Sequence, residues 1–283
     1  GDVYEPQECL PEEFHSTRWV GEQARIAWCQ RVQHRPMFMH VSFPAPHHPF
    51  EAPQRWVDPI PQEMIPPHIR PPETWDALPQ HFQNYFLGLD PLIPQALHEI
   101  DEKTARRIRR YYLASIAFVD AEIGNLMKTI ESSDRPCLVL FTSDHGELLG
   151  DHGLWYKGLY HSDSLLKVPL IAYGHGVPKC GCINDAPVES VDLAPSILAG
   201  CGIQAPREYQ GFALPGILGH PSEHFSREFT LTQQRAPWYT PEQQATTIRS
   251  RQWKLTVYSP TGEGELYDLK KDPEECVNLW NLP

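Results

Sequence analysis

LVLFTSDHGELLGDHGLWYKG, residues 138–158, begins as an almost wholly apolar run and ends in a string of acids, histidines and glycines. A continuous apolar run of this length, flanked by turn residues, is the signature of a buried strand in an α/β sheet. Asp144 and His145 follow the strand at its carboxyl end, where ligands gather in open α/β sheets. A carboxylate beside an imidazole can hold a divalent cation, and Gly146 lets the backbone turn sharply behind them. The dipeptide alone is also compatible with a polar loop end, in which Asp144 caps the next turn. Lys157 adds a cation at a fixed distance from the pair, where an anion held by the metal would need one. Asp151, His152 and the glycines at 146, 150, 153 and 158 punctuate the loop between.

Working outward, the elements alternate. Ile108, Tyr112, Ile116, Val119, Ile123, Leu126 and Ile130 step by three and four, predicting a helix that leads into the strand. A second apolar strand is predicted at KVPLIAY (residues 167–173), and a short helix opens at Ser190 and closes near Gly200 and Gly202. Upstream, Thr17 is placed to cap a helix through Val20, Ala24, Ala27 and Trp28, and PMFMHVSF (residues 36–43) reads as another strand. This order predicts an α/β fold whose sheet has parallel elements and flanking helices. After about residue 215 the texture changes. TTIRSRQWKLTVY reads as a hairpin turning at residues 250–252, followed by a strand at GELYDL. The expected division is therefore a main α/β part over residues 1–215 and a small antiparallel subdomain over 216–283. Residues 51–100 are rich in proline without strong periodicity, which suggests a lid or binding wall.

The composition narrows the partners. With 36 acidic against 24 basic side chains the formal charge is −12, and no basic stripe is present, so nucleic acid is excluded as the expected partner. No run approaches the roughly 20 apolar residues of a membrane span. Seven cysteines without framework spacing, with Cys180 and Cys182 too close to pair easily, read as mostly reduced. That favours the cytoplasm, with the periplasm or secretion left open. The chain opens without methionine, compatible with a tag remnant, a processing site or the middle of a longer protein.

A second candidate site is PAPHHPF (residues 44–50). A histidine there, held by flanking prolines, could donate to an anionic oxygen or protonate a leaving group, or could equally be a packed loop histidine. His15, His161 and His175 read as structural or exposed.

Taken together, TSDHGELLGDHGLWYKG and DSLLKVPLIAYG resemble the sulfatase signature of the alkaline-phosphatase superfamily. PEEFHSTRWVGEQARIAWCQ, MFMHVSFPAPHHPF, RRYYLASIAFVDAEIGNLMKTI and VDLAPSILAGCGI agree with it in order and spacing. The tail from residue 248 to 280 resembles the family's C-terminal subdomain. The resemblance implies an alkaline-phosphatase-like mixed sheet flanked by helices. It also implies that Asp144 and His145 are metal ligands and that Lys157 contacts sulfate or phosphoryl oxygens. The H-x-P pattern selects His47, over His48, as the residue acting on the ester or leaving oxygen.

The resemblance further implies a divalent ion, calcium or manganese, and a formylglycine nucleophile made from Cys or Ser in C/S-x-P-x-R. No such motif occurs in the chain: CLPEE at Cys9 imitates it, but Glu13 stands where arginine is required. The nucleophile and remaining ligands are therefore expected on an N-terminal segment or chain of the same enzyme. Two ligands alone hold a hard cation weakly, and a sheet without its first strands leaves apolar edges exposed. The expected activity is sulfate-ester hydrolysis by the complete enzyme, this chain supplying part of the site. Phosphonate monoester or phosphodiester hydrolysis, and a non-catalytic binding chain, are the alternatives. The expected partners are a small sulfate or phosphonate ester and the N-terminal segment, with homo-oligomerisation left open.

Overall fold

The computed structural model describes residues 11–32, 34–70, 78–90, 100–178, 181, 183–214, 227–239 and 241–282. Cys9, Cys180 and Cys182, and parts of the proline-rich stretch, lie outside the described residues. The chain forms two compact units, Gly1–His68 with Glu99–Arg135, and Ile69–His98 with Pro136–Pro283.

The first unit is built on α1 (Ser16–Gln30), a short α2 (Gln54–Val57) and the 30-residue α4 (Glu102–Glu131). Helix α1 buries Thr17, Gly21, Ala24 and Trp28, spaced four, three and four apart, as one helical face requires. Its cap is His15 rather than Thr17. The His15 ring accepts the Thr17 amide at 3.1 Å, while Thr17 itself is wholly buried. Helix α4 starts at Asp101, whose carboxylate accepts the Thr104 amide at 2.7 Å. Its buried stripe runs through Ala105, Ile108, Tyr111, Ser115, Phe118, Glu122, Leu126 and Ile130. The apolar spacing predicted a neighbouring stripe, yet Ile116 is exposed. Glu122 displaces it because α1 supplies a compensating pair, Arg18 and Arg25, at 2.7 and 2.8 Å. Residues 36–43 form no strand. A strand exists only with a ladder partner, which an apolar run cannot supply for itself.

In the second unit, α3 (Gln80–Phe86) falls in the proline-rich stretch. Strand β1 (Leu138–Thr142) pairs with β2 (Leu170–Gly174) antiparallel, with Leu140 opposite Ala172. The alternation of elements predicted a parallel neighbour. Among the described residues β1 has no other partner, and Phe141, Ile171 and Tyr173 are exposed, so the strand is not covered on both faces. Between them lies the one-turn helix α5 (Asp163–Leu166), and α6 (Leu193–Gly200) follows after a 3-10 turn that begins at Ser190, as predicted.

The C-terminal sheet is four antiparallel strands in order β3 (Phe229–Ala236), β4 (Gln243–Ser250), β5 (Trp253–Ser259) and β6 (Gly264–Asp268). The predicted hairpin is β4–β5 and the predicted GELYDL strand is β6, whereas β3 escaped notice because its run TLTQQR has too few apolar residues. The sheet's inner face is polar, with Thr247, Lys254, Thr256, Glu265 and Tyr258 all buried. Leu231, Ile248, Leu255 and Leu266 form a cross-strand row on the opposite face. No helix among the described residues is long and apolar enough to cross a membrane.

Candidate active site

Three of the four residues singled out in the sequence meet in the second unit. Strand β1 delivers Asp144 and His145 two and three residues beyond its end. The turn is locked locally, with Ser143 Oγ donating to His145 O at 2.8 Å and the His145 amide donating to Asp144 Oδ1 at 3.0 Å. Behind the pair, the Gly146 amide donates to Leu165 O at 2.8 Å. A Cβ at position 146 would stand 1.9 Å from Ser164 O, so only glycine fits the approach.

The loop after Gly146 doubles back. The Leu148 amide donates to Tyr156 O at 3.0 Å and the Gly150 amide to Leu154 O at 2.8 Å. Leu148, Leu154, Trp155 and Leu159 are buried and peg the loop to the unit's core. Leu149, His152 and Tyr156 all have positive φ, a concentration of left-handed backbone that marks an over-determined turn. This return brings Lys157 Nζ to 3.0 Å from His145 Nε2, although twelve residues separate them in sequence.

The imidazole is oriented from behind. His145 Nδ1 lies 2.7 Å from Gly146 O, and a carbonyl only accepts, so Nδ1 carries the proton and Nε2 presents its lone pair. That backbone contact is the usual means of orienting a metal-bound histidine. Asp144 is 87% exposed, and its Oδ2 is 3.8 Å from His145 Nε2. What burial it has raises its carboxyl. His145, the backbone amides and Lys157 together outweigh this, leaving it below the usual carboxylate range and ionised at neutral pH. One oxygen donor and one nitrogen donor facing the same side fit a divalent ion as two of its ligands. Among the described residues no group of three or more His, Cys, Asp or Glu is arranged to hold a metal.

Asp151 and His152 serve the scaffold. Asp151 accepts the Ile69 amide at 2.9 Å and the Ser164 hydroxyl at 2.7 Å, and the His152 amide donates to Ile69 O at 2.9 Å. His161 is buried between Thr247 Oγ1 at 2.7 Å and Gln234 Oε1 at 3.1 Å, His15 is the α1 cap, and His175 is exposed. Glu147 was not singled out in the sequence. Burial pushes its carboxyl up to about 7, against the lowering effect of the Leu149 and Leu148 amides and of Lys157.

His47 belongs to the first unit. It is exposed, stacks on His48 with ring centroids 4.1 Å apart, and its Nδ1 donates to His48 O at 2.7 Å. That bond fixes Nδ1 as the protonated nitrogen.

The sulfatase family model matches residues 6–203, and the model of the N-sulphoglucosamine sulphohydrolase C-terminal region matches residues 150–283. A choline-sulfatase of Rhizobium meliloti is 30% identical over 278 residues, covering 95% of this chain and 49% of that protein. An arylsulfatase of Clostridium perfringens is 27% identical over 95% of this chain and 54% of its own length. The chain thus spans about half the length of these relatives. In fold it is similar to a phosphonate monoester hydrolase from Silicibacter pomeroyi, with a TM-score of 0.81 at 22% identity over 99% of this chain and 61% of that one. A Bacteroides fragilis putative sulfatase superposes over 93% of this chain and 54% of that one, with a TM-score of 0.64 at 20% identity. The predicted alkaline-phosphatase-like α/β architecture with a C-terminal antiparallel sheet is therefore the observed one. With its strand-end Asp–His pair, its returning lysine and a family match over most of its length, the chain belongs to the sulfatase family.

Proposed function

We propose that the protein to which this chain belongs hydrolyses sulfate esters, and that this chain supplies part of the active site. The observation that carries the reading is the convergence of Asp144, His145 and Lys157 at the carboxyl end of β1, with the His145 lone pair and the Lys157 ammonium facing one point. Asp144 and His145 would hold a divalent ion, calcium or manganese. When bound, such an ion polarises the ester's oxygens and offsets their charge. The imidazole donor favours manganese over calcium.

The chain's own residues have distinct tasks. Lys157 binds the tetrahedral anion and stabilises negative charge that grows on its non-bridging oxygens. His47 Nε2 is the proton source for the departing ester oxygen. The nucleophile is a formylglycine on a segment outside residues 1–283, and the substrate is a small ester. Residues 1–215 and 216–283 are the functional division, the first carrying chemistry and the second supporting it. The thiols Cys29, Cys201 and Cys276 fit a reducing compartment such as the cytoplasm.

The test is turnover of an aryl sulfate and an aryl phosphonate by the full-length protein at matched concentrations. Preference for the sulfate supports the proposal. Turnover of the phosphonate alone would replace it with phosphonate monoester hydrolysis, a reading with which the imidazole ligand is compatible. Failure of both esters, with no C/S-x-P-x-R peptide in the intact protein, would leave a binding protein.

A further inference from the structure

Helix α5 bonds to the loop that carries Asp144 and His145 through its backbone and to the C-terminal sheet through the Asp163 side chain. On the loop side, Leu165 O receives the Gly146 amide at 2.8 Å, and Ser164 O lies against the Gly146 Cα. Ser164 Oγ donates to Asp151 Oδ2 at 2.7 Å and so ties down the far part of the same loop.

On the sheet side, Arg249 of β4 clasps Asp163 with two parallel bonds, Nε to Oδ1 at 2.8 Å and a terminal nitrogen to Oδ2 at 2.7 Å. The Asp163 amide donates to Glu275 Oε2 at 3.1 Å. Glu275 is paired at 2.5 Å with the buried Lys254, which also donates to His161 O at 2.7 Å. The four charges Arg249, Asp163, Lys254 and Glu275 sum to zero. Without Arg249, Asp163 loses both bonds to β4, and the α5 N-terminus keeps the Asp163 amide bond to Glu275 as its tie on this side. Because Gly146 is in backbone contact with α5, a shift there moves the residue directly behind His145.

We propose that the Arg249–Asp163 pair is a positioning device for the metal ligands: the C-terminal sheet holds α5 in place, and α5 holds the Gly146 backbone from which His145 projects. The inference rests on the reading above that Asp144 and His145 bind the metal. It gives the C-terminal sheet a share in the site although none of its side chains is a ligand. A bidentate arginine suits the task, since two parallel bonds fix orientation as well as distance. A clasp serving only cohesion would influence folding but not the affinity of a site it does not touch.

The experiment is a Mn2+ titration of metal-free full-length protein, followed by the electron paramagnetic resonance of the free ion, with thermal midpoints taken without metal. Arg249→Gln is expected to weaken binding about 5- to 10-fold, the lower range for loss of an outer supporting contact. Asp163→Asn should do the same, and the double variant should be no worse than either single one, because both remove one contact. Arg249→Lys should recover part of the loss. An unchanged Mn2+ affinity in Arg249→Gln, whatever its thermal midpoint, overturns the proposal, as do fully additive single effects. Asp144→Ala separates the two readings. If it leaves Mn2+ binding intact, the metal assignment fails and the positioning role with it, independently of α5. Should Arg249→Gln not fold, Asp163→Asn takes its place, since it loses the charged clasp from the other side, and unchanged Mn2+ affinity there counts equally against the proposal.

Discussion

Lys157 Nζ lies 3.0 Å from His145 Nε2, on the lone pair that a bound cation would use. The ammonium therefore sits where it can yield the imidazole to a metal and turn to the oxygens of an anion beside it. Under the proposed function this charge serves the reacting anion more than the fold, because it stands on a loop held by the buried Leu154, Trp155 and Leu159.

Lys157→Ala should accordingly lower kcat/KM of the full-length enzyme for an aryl sulfate by about 10²-fold, the usual scale for deleting one donor to a developing charge. Its thermal midpoint should move little. A loss of under threefold would remove Lys157 from the chemistry.

His47→Ala separates leaving-group assistance from packing. If His47 Nε2 delivers the proton, an alkyl sulfate with a poor leaving group should lose about 10²-fold or more, and a nitrophenyl sulfate far less. Equal losses on both substrates would point to packing of the His47–His48 stack instead.

The pH dependence of stability follows from two buried histidines. Burial lowers His81 and His161 from 6.5 to about 4, only partly opposed by the Leu159 carbonyl and Gln234 respectively. The folded state keeps both neutral while the unfolded chain takes up protons below about pH 6.5. Stability is thus complete above the unfolded value and erodes as the pH falls toward 4, by up to about 3 kcal/mol for each histidine. Glu275 works in the opposite sense, since burial raises it to about 7 against Lys254, and its contribution fades as the pH rises. Urea midpoints at pH 7.5 and 5.0 should therefore be compared with those of His161→Gln. The variant should show a shallower dependence, and identical slopes would contradict the assignment.

Gly21→Ala tests the first unit. A Cβ there would stand 2.2 Å from Glu122 Oε2, the carboxylate held by Arg18 and Arg25. Displacing one member of a buried ion cluster leaves the others uncompensated, at a cost of about 3 kcal/mol. Urea unfolding measures it, and a change within 0.5 kcal/mol, as is usual for surface positions, would mean that Glu122 moves without loss.

Much of this protein was legible in its residues because the relevant physics is local. The apolar run ending in Asp144–His145 announced β1 and the polar pair at its end, the three-and-four spacing announced α4, and Ser250–Gln252 announced the β4–β5 turn. Where the decisive partner is distant in sequence, local reading missed. Glu122 is buried on α4 because α1 brings two arginines to it. Residues 36–43 are apolar enough for a strand but form none without a neighbour to pair with. Strand β3 carries few apolar residues because its inner face meets a polar layer.

The sequence by itself determined which chemical groups the site has and the order in which they appear, since residue type and short spacing carry that information directly. Only the tertiary structure decided that twelve intervening residues fold back to set Lys157 against His145, and that β1 and β2 run antiparallel. It also decided that an arginine of β4 reaches the helix behind Gly146. These depend on hydrogen bonds and charge pairs closed across long stretches of chain, whose geometry no local pattern encodes.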